Sequence, residues 1–469
     1  MLKNFFSYIE QKKILHEEAD LNKVGLATAQ YASDAWGITF GWSDRGLIYS
    51  PFFEEGHIAV FGGSGLGKTS AVLIPSLVSW SHGCTSLIID IAGDISSVCA
   101  PEYSAGIPDR YWEIHYPLIF RPNDTPSCLY DVFAEIDTMA SEEDRNVALE
   151  KLAYILMPID IHANSTSQFF NEEGRKILTA ALLAFYPQKK HRIFFTYDFC
   201  DICKIIFSND WKSLFKKIDE ADNAKASSFL NSFQGANEAN TAGCKQAVDR
   251  AIQLFATNQR IQACVRRYNR YNDGPFVQTM SALTLESYNN MVCIADNDLP
   301  LYAPLLHLIT AQALDHCSRR KPEHPILLAF DEFVSLGHLD IVDGLRKLRK
   351  KRVRIMVLTQ SLADIDDVYG ESTRKVMMNN FRYTVVLGAN DTDTQEYLAR
   401  MVGQHMVQRR SVTTDNTHHR SETFSDSKEF IVDPEEFRQL GDYLLLIHPG
   451  GLLKLLKNYH HKKYSHITR

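Results

Sequence analysis

Gly62-Gly63-Ser64-Gly65-Leu66-Gly67-Lys68-Thr69 matches G-x-x-x-x-G-K-[ST] at every fixed position. It follows the apolar run His57-Ile58-Ala59-Val60-Phe61 and opens an amphipathic stretch, Thr69 to Trp80. Strand, glycine loop and helix in that order are the setting this spacing requires. The glycines let the backbone fold tightly, so that consecutive N–H groups face one anion. The following helix presents its positive end to the same anion. Lys68 then reaches the β- and γ-phosphates of ATP, and the Thr69 hydroxyl ligates Mg²⁺. The candidate cradle is Gly62, Gly63, Ser64, Gly65, Leu66, Gly67, Lys68, Thr69 and Ser70. The bland alternative is a glycine-rich turn that binds nothing.

Such a loop needs a carboxylate on a neighbouring strand for Mg²⁺ and a base for the attacking water. Ile326-Leu327-Leu328-Ala329-Phe330-Asp331-Glu332 offers both. The apolar run reads as a buried strand with Asp331 at its C-terminal end, where α/β sheets bind ligands. Asp331 is the metal candidate and Glu332 the candidate base. Asp90, after Leu87-Ile88-Ile89, competes for the metal role. Ile355-Met356-Val357-Leu358-Thr359 ends in Gln360-Ser361, and a glutamine there either contacts the γ-phosphate or caps the strand. Arg346 to Arg354 reads RKLRKKRVR, seven basic residues in nine, which is either a solvated face or a functional patch, with Arg349 its leading residue.

Strand patterns flank a helical middle. Thr69–Trp80 is followed by the run Ser86–Asp90, the strand–helix–strand signal of a parallel sheet, and Trp112–Tyr116 is a third candidate strand. From Ser141 to about Glu286 the pattern is helical, clearest at 150–156 and 172–186. Phe194–Tyr197 is the one segment there that passes for a strand. Strand patterns return at 290–295, 325–330, 354–359, 383–387 and 443–447. The polar stretch 409–428 reads as a long loop. The expected organisation is 1–140 and 287–469 as the two parts of one nucleotide-binding domain, with 141–286 inserted between them.

With 45% apolar and 23% charged residues, the chain is neither disordered nor disulfide-stapled. Its net charge of -7 restricts any nucleic-acid contact to a local basic surface. Nine irregularly spaced cysteines read as reduced thiols, hence a cytosolic setting. Cys200-Asp201-Ile202-Cys203 is a lone C-x-x-C, read as packing rather than metal. Arg266 to Tyr271 interleaves basic and aromatic residues and reads as a surface loop before it reads as a base-stacking site. The longest apolar run, Ile177–Tyr186, is half the length of a spanning helix.

Together these motifs resemble the TraG/TraD-type coupling ATPases of type IV secretion. The resemblance rests on Ile74-Pro75 to Trp80 after the loop, Asp90-Ile91-Ala92-Gly93-Asp94, and Asp331-Glu332-Phe333-Val334-Ser335-Leu336-Gly337. It rests also on Gln360-Ser361-Leu362-Ala363, Gly388-Ala389-Asn390-Asp391 and Thr394-Gln395-Glu396-Tyr397-Leu398. Ala92 stands where the family carries lysine, and the sequence resembles a form without the family's N-terminal membrane helices. The resemblance implies an α/β, RecA-like P-loop ATPase with a mainly parallel central sheet and an inserted all-α domain. It favours Asp331 over Asp90 for Mg²⁺, and implies catalytic roles for Lys68, Glu332, Gln360 and a trans-acting Arg349.

The function so implied is ATP-driven delivery of a relaxase–single-stranded DNA or protein substrate to a secretion channel. The protein would work as a ring, a hexamer by analogy with the family, at the cytoplasmic face of the membrane. Its partners would be the relaxosome, the channel ATPases and inner-membrane proteins, with Phe5–Leu21 or the helical insertion as docking segments. The alternatives are a nucleotide-dependent, non-motor cargo adaptor and another RecA-like DNA-translocating ring motor.

Overall fold

The computed structural model describes residues 18–91, 93–99, 114–124, 127–158, 164–187, 197–269, 271–275, 277–414 and 420–460, with the backbone alone at 18–20 and 409–424. The strands run β1 (Ala27–Ala29), β2 (Gly37–Ser43), β3 (Gly46–Pro51), β4 (His57–Phe61), β5 (Thr85–Asp90) and β6 (Pro117–Phe120). They continue with β7 (Leu129–Tyr130), β8 (Thr279–Met280), β9 (Asn289–Cys293), β10 (Ile326–Phe330) and β11 (Val353–Thr359). The last are β12 (Phe381–Val386), β13 (Gln404–Thr414), β14 (Arg420–Phe430), β15 (Tyr443–His448) and β16 (Gly451–Lys457).

Two compact units divide the described residues. The first lies within Met1–Ile88, Asp94–His115 and Lys321–Arg469, and the second within Ile89–Gly93 and Tyr116–Arg320. The expected cuts at 140/141 and 286/287 fall inside the second unit, which keeps strands on both sides of its helices.

In the first unit the sheet order is β1-β3-β2-β16-β15-β12-β4-β11-β10-β5. β4 pairs in parallel with β11 (Ile58↔Met356) and β12 (Ile58↔Tyr383), and β10 pairs in parallel with β11 (Ile326↔Val353). Every residue of β4, β10 and β11 is buried, which explains their unbroken apolar runs. Later segments of the chain, β11 and β12, flank β4 on both sides, and sheets of this kind bind ligands beyond the C-terminal ends of such strands. The sequence pattern marked β12 and β15 but not the rest of an antiparallel wing, in which β15 pairs with β12 and β16, β16 with β2, β2 with β3 and β3 with β1.

The second unit is mainly helical. Glu142–Leu156 is N-capped by Ser141, whose hydroxyl accepts the Asp144 N–H at 2.9 Å, with three acidic residues in its first turn. Ser165–Phe185, capped by Asn164, buries the apolar run from Ile177 to Leu183. Helices Phe199–Phe207, Trp211–Glu220, Ala224–Leu230, Glu238–Thr257 and Gln259–Cys264 follow. β6 pairs in parallel with β9, and β7 with β8. Among the described residues no helix is long and apolar enough to cross a membrane.

Two local expectations are corrected. The strand expected at Trp112–Tyr116 forms instead at Pro117–Phe120, in register with Asn289–Val292; Trp112 and Glu113 lie outside the described residues. The expected loop at 409–428 is a hairpin, with β13 and β14 paired from Gln404↔Phe430 to Thr414↔Arg420. Val412, Thr413 and Thr414 suit a strand, but no apolar alternation marks it. Residues 194–196 of the other strand candidate, and Ala92, lie outside the described residues.

Candidate functional site

Beyond β4 the chain turns through Gly62 to Gly67 and enters a π-helical turn, Lys68–Leu73, which continues as helix Ile74–Ser81. Gly67 sits at the helix start with φ 95°, a left-handed geometry that a side chain would strain. Ser64 and Gly65 are exposed at the loop tip. The loop is braced from two sides. Gly62 N–H donates to the Thr359 carbonyl at 3.1 Å. Leu66 Cδ1 packs against Gly388, 2.6 Å from where a Cβ would stand.

Lys68 is 5% exposed. Its Nζ donates to the Gly62 carbonyl at 2.9 Å and lies 3.4 Å from Glu332 Oε1. The Thr69 hydroxyl donates to Asp331 Oδ1 at 3.1 Å. Gln360 Nε2 makes a long contact, 3.5 Å, to Glu332 Oε2. Lys68, Thr69, Asp331, Glu332 and Gln360 therefore meet at the C-terminal ends of three neighbouring strands. Glu332 has φ 45° and ψ 53°, a strained backbone for a residue with a side chain; such strain concentrates at functional sites.

These groups fit a nucleoside triphosphate with Mg²⁺. The lysine ammonium is turned into the loop, and a hydroxyl and a carboxylate stand side by side as hard oxygen donors. Among the described residues no group of three or more His, Cys, Asp or Glu is gathered to hold a metal. Mg²⁺ needs none, because it takes most of its six ligands from phosphate and water. Asp90 accepts the N–H of Gly93 at 3.0 Å and closes its own turn.

Arg349 is not part of this cluster. Its Nε lies 3.2 Å from Glu55 Oε2, and both residues are exposed. Glu55 precedes β4 and Arg349 precedes β11, whereas the loop and Gln360 follow those strands. The pair is thus a full strand length, roughly 17 Å, from the phosphate loop. The rest of the basic run also divides. Lys347 Nζ pairs with Asp343 at 2.6 Å, while Arg354 is buried. Arg354 Nε donates to the Gly56 carbonyl at 2.9 Å, and burial pulls its guanidinium down to about 10.

Cys200 and Cys203 are buried in Phe199–Phe207, with burial raising both thiols. Arg266 pairs with Asp273 at 2.5 Å and Arg267 with Asp137 at 2.9 Å, which leaves Tyr268 and Tyr271 exposed beside neutralised arginines. Three contributors to the site were not assigned from sequence. Asn390 Nδ2 lies 3.0 Å from the position of a Cβ on Gly63, and Arg438 Nη2 donates to the Asn390 carbonyl at 2.8 Å. The Gly388–Asp391 motif was a signal for Asn390. Nothing in the sequence pattern marked Tyr459, which packs on Gly67.

Fold and site define a RecA-like P-loop nucleotide-binding protein. The family model described as type IV secretory system conjugative DNA transfer matches residues 5–452, and the chain belongs to that family. Protein VirD4 of Rhizobium rhizogenes is 27% identical over 175 residues, a match that spans 35% of this chain and only 26% of that protein. The unbound structure of the bacterial conjugative coupling protein TrwBdeltaN70 is similar over 96% of this chain and 92% of its own, with a TM-score of 0.67 and 18% identity. The plasmid coupling protein TrwB in complex with ADP and Mg²⁺ is similar over 88% of this chain and 87% of its own, with a TM-score of 0.61 and 17% identity.

Proposed function

We propose that this chain is an ATP-hydrolysing coupling protein that delivers a relaxase–single-stranded DNA or protein substrate to a type IV secretion channel. The observation that carries the reading is the meeting of Lys68, Thr69, Asp331 and Glu332 on one glycine loop, within a chain of the conjugative DNA transfer family. ATP supplies the γ-phosphoryl group whose transfer to water releases the energy. Lys68 binds the β- and γ-phosphates, and Thr69 and Asp331 hold Mg²⁺. Glu332 takes the proton of the attacking water, and Gln360 contacts the γ-phosphate. TrwB has been solved with a non-hydrolysable ATP analogue and with ADP and Mg²⁺, which supports the same ligands here.

Residues 141–286 form the inserted all-α domain between the two parts of the nucleotide-binding domain, 1–140 and 287–469. The working form is a hexamer, with Arg349 reaching the neighbouring subunit's nucleotide. It sits at the cytoplasmic face of the membrane and is held there by channel ATPases and inner-membrane proteins.

The test is the ATPase rate with and without single-stranded DNA, beside size-exclusion chromatography with ATP. A DNA-stimulated rate and an ATP-dependent oligomer are expected. A rate indifferent to DNA overturns the motor reading in favour of an adaptor whose assembly ATP drives.

A further inference from the structure

The chain that leaves β16 returns to the phosphate loop. Asn458 is buried and accepts the Trp42 indole N–H at 2.9 Å, which fixes the exit from the strand. Two residues on, the His460 N–H donates to the Ser70 carbonyl at 3.1 Å, and His460 Nδ1 lies 3.1 Å from the same oxygen. Tyr459, held between these anchors, is half-buried and lies against Gly67. A Cβ on Gly67 would stand 2.8 Å from Tyr459 Cε1 and 3.3 Å from its hydroxyl. Gly67 is thus constrained twice, by its φ of 95° and by this ring.

The position has a chemical consequence. A triphosphate in this loop has its β,γ end at Lys68 and Asp331, and its α-phosphate against the backbone at the helix start. Ribose and base leave from the α end. Tyr459 and His460 flank that end, at Gly67 and Ser70, whereas Glu332 and Asp331 flank the other.

We propose that Tyr459 is the platform on which the base of the bound nucleotide stacks, an inference that rests on the nucleotide reading given above. The backbone on either side of the ring is anchored at Asn458 and His460, so the platform is placed before the nucleotide arrives. Stacking reads a π-face rather than a hydrogen-bonding edge, and every base presents one. Tyr459 therefore contributes affinity for the nucleoside part with little discrimination between adenine and guanine.

The experiment is calorimetric titration of the full chain with Mg-ATP, Mg-GTP and inorganic tripolyphosphate, in wild type, Tyr459→Leu and Tyr459→Phe. Tyr459→Leu should weaken ATP and GTP alike by about tenfold or more and leave tripolyphosphate unchanged. Tyr459→Phe should bind all three as wild type does. Equal weakening of nucleotide and tripolyphosphate would mean that Tyr459 only shapes the loop, and unchanged nucleotide affinity would mean that the base lies elsewhere. Either result overturns the stacking role alone. Wild-type protein that binds none of the three overturns the nucleotide reading itself, and the stacking with it.

Discussion

The Thr69 hydroxyl donates to Asp331 Oδ1 across 3.1 Å, joining residues 262 positions apart in the chain. The two oxygens come from the start of one helix and the end of one strand, and together they would hold Mg²⁺ as hard oxygen donors. Asp331 is 1% exposed, and charges at so buried a position are poorly screened by solvent. Replacing Asp331 with Asn keeps the shape and removes the charge that Mg²⁺ requires. Asp331→Asn should raise the Mg²⁺ concentration for half-maximal ATP hydrolysis by about tenfold or more. A Mg²⁺ titration that superimposes on wild type would remove Asp331 from the metal site.

Lys68 and Glu332 lie 3.4 Å apart and have different tasks. Lys68→Ala removes the cation that meets the β- and γ-phosphates, and hydrolysis should fall to background while the circular dichroism spectrum is kept. Turnover near that of wild type would defeat the assignment. Glu332→Gln keeps a polar group beside Lys68 but cannot accept a proton from water. It should bind ATP normally and hydrolyse it about 10²–10⁴-fold more slowly. Loss of ATP binding in Glu332→Gln would make the residue structural.

The basic run is not one surface. Lys347 is paired with Asp343 and Arg349 with Glu55, while Arg346 and Lys350 are exposed. Neutralising Arg346, Lys347, Lys350 and Lys351 together should weaken single-stranded DNA binding and flatten its salt dependence. Each lost phosphate contact takes roughly 0.7 from the slope of log K against log salt. An unchanged slope would reduce the run to a solvated face.

Arg349 lies a strand length from its own phosphate loop, so any catalytic role must be played in a neighbouring subunit. Arg349→Ala alone should hydrolyse ATP poorly. Mixed with Glu332→Gln subunits, it should regain part of the rate, because intact halves of the site then meet across the boundary. No recovery at any mixing ratio would end the trans role.

The candidate phosphate loop was legible because its constraints are local. The glycine spacing, the buried strand before it and the Asp331-Glu332 pair are each written in a few consecutive residues. Features set by distant pairing were not. β16 pairs with β2 through Leu456↔Trp42, and neither segment alone predicts the other. The β13–β14 hairpin lacks the apolar alternation that reveals a half-buried strand. Arg354 sits in a run that reads as surface, yet it is fully buried with its guanidinium 5.7 Å from the Tyr383 ring centroid. Tyr459 reaches the loop only through the path of the chain after β16.

His57 couples acidity to the strands that carry the site. It begins β4, is 1% exposed, and its Nδ1 accepts the Ile355 N–H of β11 at 3.0 Å. Burial, helped by the nearby Arg354 charge, pushes its imidazole down to about 4. In the unfolded chain the same ring titrates near 6.5. The unfolded state thus takes up a proton that the folded state refuses until about pH 4. Stability from this group is complete above pH 6.5 and is lost as the pH falls from 6.5 towards 4. The full effect is roughly 3 kcal/mol. Protonated Nδ1 cannot accept from Ile355, so the loss falls on the β4–β11 pair, whose far ends carry Gly62 and Gln360. His57→Asn places an amide oxygen where Nδ1 accepts the Ile355 N–H and has no proton to gain. Urea denaturation between pH 7 and 4 should show wild type losing stability over this range and His57→Asn losing markedly less. Parallel curves for the two proteins would assign the acid sensitivity to other groups.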